Sequence, residues 1–209
     1  KHQRNTTQEE KTVTRKVTIT TPDNKSTVTN QTVTFTRNAT VDEVTGNVTY
    51  GPWSENGKHE FATVDVPNVP GYTATGDAPS LTVTPESKDT NVTISYTAND
   101  QTTQVVFVDD DDNGKTVSYE DIHGKTGETQ KLTDLPENYE LANGQSDTIT
   151  FSADTPKQVT VHLKHKVVTK QLKLNTSLSL LRLIKNRYNV SDAGQGNYLM
   201  WISNDEFNS

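Results

Sequence analysis

DDDDNGKTVSYE, residues 109–120, admits two readings that lead to different folds. As a pattern it satisfies D-x-[DN]-x-[DN]-G-x5-E, the calcium loop, with Asp109, Asp111, Asn113, Gly114 and Glu120 in register. An EF-hand holds that loop between two helices. Here four apolar residues, Val105, Val106, Phe107 and Val108, precede it, and residues 116–122 have the composition of a strand. Acidic residues ending in Asn-Gly between apolar strands are also a strong hairpin signal. The neighbours decide for the hairpin. Glu120 is then carried away from the turn at about 3.3 Å per residue, which separates it from Asp109, Asp111 and Asn113. These four remain the metal-ligand candidates, with weak, unselective calcium binding as the most expected of them and no other cofactor.

Outward from this turn the chain reads as strands. Residues 105–108 do not alternate, which predicts a central strand buried on both faces. TVSYEDI is its return strand, and YELA, DTITFSA and QVTVHLKHK complete the unit, with Val159, Val161 and Leu163 inward. GKTGETQKLTDLP is the one place here where a short helix could sit. Upstream, Val13, Arg15, Val17 and Ile19 share one face of a strand, and Val33 and Phe35 take the core side of the next. TPDNK supplies the turn between them. NVTY, HEFATVDV, LTVT and TNVTISY follow as shorter strands. The division is a linker over 1–10, a module over 11–99, a second over 100–168, and a tail over 169–209. In the tail Leu178, Leu181, Leu183, Ile184 and Tyr188 have near-helical spacing. Tyr198, Leu199, Met200, Trp201 and Ile202 find no obvious partner there. The tail reads either as the start of another module or as non-native sequence.

Composition narrows the function. Hydrophobic residues make up 30% and the mean hydropathy is −0.77, too little for one thick core but enough for small sheet modules. The absence of cysteine excludes disulfides, thiolate metal sites and cysteine nucleophiles. A net charge of −7 argues against nucleic acid. No segment approaches the roughly 20 apolar residues of a membrane helix, so no membrane insertion is expected. The chain starts at Lys1 and its only methionine is Met200, which reads as an excised or mature piece with any signal or anchor outside it. There is no G-x-S-x-G elbow, phosphate loop or H-E-x-x-H, and no enzyme is expected. His162 and His165, three apart on a strand, point to opposite faces and do not read as a metal pair.

GPWSENGKHEFATVDVPNVPGYTA followed by VTPESKDTNVTISYTA resembles the Trp and Pro-Gly-Tyr spacing of Mub repeats, found in surface adhesins of gut lactic-acid bacteria. VVFVDDDDNGKTVSYEDIHGKTGE, then LPENYELANG and VTVHLKHK, resembles the mucin-binding module that forms the second half of such repeats. The resemblance implies a mainly β (α+β) fold of two elongated ubiquitin-like β-grasp modules in tandem. It implies an extracellular, cell-wall-anchored adhesin of a Gram-positive bacterium, binding mucin glycans. Some members are associated with immunoglobulin binding, so an immunoglobulin or other protein at an exposed sheet edge is the alternative, and a structural spacer a third. Trp53, Tyr119 and Tyr139 are the ligand-binding candidates, because aromatic faces pack on flat or apolar partners.

Overall fold

The computed structural model describes residues 3–173, 189–194 and 197–203. The chain divides into two compact units, Lys1–Asn99 and Asp100–Ser209.

The first unit opens with a long hairpin, β1 (Arg4–Thr20) and β2 (Ser26–Asp42), in continuous antiparallel register from Arg4↔Asp42 to Thr20↔Ser26. The turn closes with Asn24 in the left-handed region, φ 63°. Six short strands follow: β3 (Val48–Tyr50), β4 (His59–Phe61), β5 (Tyr72–Ala74), β6 (Leu81–Val83), β7 (Thr90–Ile94) and β8 (Tyr96–Ala98). β7 returns parallel to β1 over Arg15–Ile19, giving the sheet order β3-β2-β1-β7. β4 pairs with β6, and β5 with β8. Alternation places Val13, Val17, Ile19, Val33 and Phe35 in the core, all buried.

Arg15 lies on that same inward face and is 3% exposed. Its guanidinium donates to Gln31 Oε1 (2.7 Å), to the Pro79 carbonyl (2.6 Å) and to the Ala62 carbonyl (2.9 Å). A buried cation is tolerated only when its donors are satisfied. Its place on β1 separates two apolar clusters. Val13, Val33, Phe35, Phe61 and Val83 form one. Val17, Ile19, Ala78 and Ile94 form the other.

Residues 4–10, expected as a linker, are instead paired strand. Polar cross-strand contacts replace burial here: Thr6 and Thr40 hydroxyls lie 3.0 Å apart, and Arg37 Nε donates to Glu9 Oε2 at 2.7 Å. A test that looks for apolar alternation is blind to a ribbon exposed on both faces.

The second unit repeats the plan. β9 (Asp100–Asp109) and β10 (Lys115–Lys125) form a hairpin joined through the acidic stretch. β11 (Thr129–Lys131), β12 (Tyr139–Leu141), β13 (Thr148–Thr150) and β14 (Gln158–His165) complete it. β14 runs parallel to β9 and β12 antiparallel to β14, so the order is β10-β9-β14-β12. A hairpin whose first strand lies central, flanked by a parallel final strand, is the β-grasp arrangement. Val105, Val106, Phe107 and Val108 are buried on both faces of β9, as their lack of alternation requires. Val105, Phe107, Ile122, Leu132, Ile149, Phe151, Val161 and Leu163 make the core.

The helix expected within GKTGETQKLTDLP does not form. Thr129–Lys131 pairs with β13 instead, and Leu132 drops into the core beyond it. Two leucines three residues apart serve an irregular covering segment as well as one helical turn. Among the described residues the only helical elements are single turns at Ser54–Gly57 and Asp110–Asp112. The fold is mainly β.

Gly124 on β10 is packed against the core. A Cβ there would lie 2.5 Å from ring carbons of Phe151, itself 1% exposed. Gly124→Ala is therefore expected to destabilise the second unit by about 2 kcal/mol, the usual cost of overpacking. Urea unfolding checks this, and an unchanged midpoint would show that the ring moves aside freely.

The tail differs from its expectation. β15 (Val167–Lys173), β16 (Asn189–Gly194) and β17 (Asn197–Ser203) form an antiparallel sheet in the order β15-β17-β16. The backbone of residues 198–202, read as having no obvious partner, is paired with β15 throughout and with β16 as far as Trp201. NYLMWIS is rich in aromatic and apolar residues that favour strands. The helix expected over 176–188 lies outside the described residues.

Candidate functional site

The acidic stretch closes the β9–β10 hairpin, with Asn113 and Gly114 in the left-handed region, φ 53° and 74°. Three of its four aspartates, Asp109, Asp110 and Asp111, have a hydrogen-bonding partner in the protein. Asp109 is 4% exposed, and its Oδ1 accepts from the backbone N–H of Asp111 at 2.9 Å. Its Oδ2 meets His165 Nε2 at 2.8 Å and accepts from the Tyr139 hydroxyl at 3.2 Å. Asp110 Oδ1 meets His162 Nδ1 at 2.7 Å. Asp111 Oδ2 accepts from the backbone N–H of His165 at 2.8 Å. Asp112 pairs loosely with Lys115, 3.9 Å away. Burial would raise the Asp109 carboxyl pKa. The hydrogen bonds from His165 and the Asp111 N–H, the charge of His165 and the Tyr139 hydroxyl together hold it below the ordinary carboxylate value.

The four metal-ligand candidates do not converge. Glu120 stands opposite Val105 and Asp109 opposite Lys115, so the return strand carries Glu120 away by on the order of 15 Å. Asn113 serves the turn through its backbone. Asp109 and Asp111 do come together, and the third group beside them is His165, the three offering ligand atoms within 4.8 Å of one another. Sequence reasoning missed both histidines. They do fail to meet at one point, but each reaches a different aspartate. The signal was the parallel pairing of β14 on β9, which sets Leu163 opposite Asp109 and brings His165 past the strand end to the turn.

Two of the three aromatic candidates are engaged within the protein. Trp53 packs on the first unit's core, and one of its faces is covered by the Arg37 guanidinium, 4.3 Å from the ring centroid. The same guanidinium lies 3.8 Å from the Tyr50 ring centroid, so the cation contacts two rings while it also holds Glu9. Tyr139 packs edge-on against His165, ring centroids 5.7 Å apart, and supports the acidic turn. Tyr119, on β10, is 61% exposed and is the candidate whose ring is open to a ligand.

Residues 4–100 match the domain model described as Muc B2-like, and residues 101–165 the one described as a mucin binding domain. The chain belongs to the Mub-type mucus-binding repeats. Solved structures similar to it include Mub-RV, with 35% identity over 47% of this chain and 61% of that one, TM-score 0.41. The mucin-binding domain of Spr1345 from Streptococcus pneumoniae has 29% identity over 46% of this chain and 97% of that one, TM-score 0.39. The type 2 repeat of the mucus binding protein MUB from Lactobacillus reuteri has 26% identity over 47% and 60%, TM-score 0.34. This chain thus spans about 61% of the length of Mub-RV. No curated protein matches it in sequence. Within the Mub-type repeat, Trp53 and its Arg37 stack fall in the Muc B2-like part. The acidic turn, Tyr119 and Tyr139 fall in the mucin binding part. No helix among the described residues is long and apolar enough to cross a membrane.

Proposed function

We propose that the repeat is an adhesion module of an extracellular, cell-wall-anchored surface protein of a Gram-positive bacterium, and that it holds mucin glycans by weak contacts multiplied over tandem copies. The observation that carries this reading is the succession of a Muc B2-like and a mucin binding domain along one chain. Linked weak sites gain avidity through effective concentration, without any single deep pocket. Binding rather than catalysis fits a site where His162, His165 and the buried carboxylate of Asp109 are committed to holding a turn. Calcium enters only as a weak counter-ion to that turn, where Asp109, Asp110 and Asp111 already have hydrogen-bonding partners.

Both the chain, at −7, and mucin are acidic, so long-range electrostatics opposes their association. Contact then rests on hydrogen bonds and on stacking at exposed rings such as Tyr119. Surface plasmon resonance against purified mucin is expected to show binding that salt leaves unchanged or strengthens and that removal of the glycans abolishes. A steep loss with salt would overturn the electrostatic account, and binding that survives deglycosylation would overturn the glycan account.

A second reading has one observation in its favour. β7 covers β1 only from Arg15 to Ile19 and Asp89 takes the Thr14 N–H at 2.8 Å, which leaves the β7-side edge of residues 4–10 without a ladder partner among the described residues and open to strand addition. An immunoglobulin or other protein bound there would retain its affinity after deglycosylation of mucin, or bind with no mucin present.

A further inference from the structure

Beside the β10 edge of the second unit, and apart from the acidic turn, lies a groove of about 290 Å³ that opens onto the core. Its floor is a narrow apolar strip of Phe107, Ile122 and Leu132, each less than a tenth exposed. Its walls are polar and come from two segments. Glu120 shares a strand face with Ile122 and overhangs the floor from β10. Gln130, Lys131, Thr133 and Asp134 face it from the segment that starts with β11. The size is at the lower end of ligand clefts, enough for a small part of a larger ligand.

Two features exclude an added strand here. The β10 ladder is interrupted by a bulge between Thr116 and Ser118. Further along, the Gln130 side chain already donates to the His123 carbonyl at 2.5 Å, occupying an acceptor that a partner strand would need. The groove therefore suits a discrete ligand with several donors of its own. Its carboxylates, Glu120, Asp121 and Asp134, face one lysine, Lys131, which already has Asp147 at 3.7 Å. Carboxylates in that excess accept hydrogen bonds from hydroxyls and repel anions. An apolar floor beneath such walls matches a pyranose ring, with one C–H face and a rim of hydroxyls.

We propose that this groove is a subsite for a neutral, hydroxyl-rich saccharide, with Glu120, Thr133 and Asp134 as its hydrogen-bonding residues. The proposal rests on the mucus-glycan reading and specifies the part of the glycan that is held. It gives Glu120, read from the sequence as a metal ligand, a role as a wall of the groove.

The test is an amide chemical-shift titration of the whole chain with a neutral galactose–N-acetylgalactosamine disaccharide and with its sialylated form. The neutral sugar is expected to shift residues around Ile122, Leu132 and Thr133. Glu120→Ala combined with Asp134→Ala, both exposed positions, should weaken it at least tenfold while the remaining amide spectrum stays in place. Thr133→Val should weaken it without removing charge. Tighter binding of the sialylated form, unchanged affinity in the variants, or displacement of the sugar by an extended peptide would overturn the proposal. Intact mucin run alongside separates the two levels. If the parent chain binds mucin and the groove variants bind it equally well, the subsite falls and the adhesion reading stands. If the parent chain does not bind mucin at all, the adhesion reading falls as well.

Discussion

Arg15→Ala should lower the stability of the first unit by about 3 kcal/mol, a large effect for a single residue. The substitution removes three donors at once, and the Pro79 carbonyl loses the 2.6 Å bond it has from Nη1. Leaving a buried polar group unsatisfied costs about 1–3 kcal/mol, before any lost packing of the methylene stem is added. The Ala62 carbonyl is partly protected, because Gln31 Nε2 also donates to it at 2.8 Å. Arg15→Met divides the effect between packing and hydrogen bonding, since methionine restores most of the volume and none of the donors. It should recover only part of the loss. Arg15→Lys should also fall short, because one ammonium on a flexible stem does not reproduce a planar fork serving three acceptors. Amide exchange at Val13, Val33 and Phe35 reports the stability of this unit in the intact chain. Parent-like protection in Arg15→Met would show that the hydrogen bonds add nothing net.

Arg15 also marks where sequence reading stopped. Alternation placed it on the inward face with Val13, Val17 and Ile19, and that placement holds. Its partners could not be anticipated, because two of them are backbone carbonyls in irregular segments, Ala62 and Pro79, whose approach no local pattern encodes. The same division runs through the molecule. The buried run at 105–108 was legible because a central strand has no polar face to show, and both hairpins were legible because turn chemistry stands between two strand-like runs. The ribbon at 4–10 was not, since its stabilisation lies in cross-strand pairs with residues some thirty positions away. At the candidate site the turn could be read and its clamp could not. Asp109 and His165 are 56 positions apart, and only the parallel register of β14 on β9 joins them.

That clamp sets the largest effect expected in the second unit. Asp109→Ala removes the acceptor of three hydrogen bonds, from His165, Tyr139 and the Asp111 N–H, beside a nearly buried site. Bonds to a charged group each contribute about 1.5–3 kcal/mol, so a loss of about 3 kcal/mol at neutral pH is a conservative expectation. Asp109→Asn keeps the shape and part of the acceptance and should lose less. The pH dependence has a definite sign. The folded carboxyl titrates below its ordinary value of 3.8, so the unfolded chain takes up this proton first as the solution is acidified. The stability that Asp109 adds is fully present above about pH 4 and is lost as pH falls through that value toward the folded one. Urea midpoints followed from about pH 6 to about pH 3 should fall for the parent chain, and fall less for Asp109→Asn. Equal slopes would place the acid sensitivity on other carboxylates. Calcium added at neutral pH should move the midpoint little, and equally in the parent and in Glu120→Gln, because Glu120 stands far along β10 and three of the four aspartates already have hydrogen-bonding partners. A calcium-induced rise that Glu120→Gln abolishes would mean that DDDDNGKTVSYE closes around an ion after all, and that the hairpin is only its empty form.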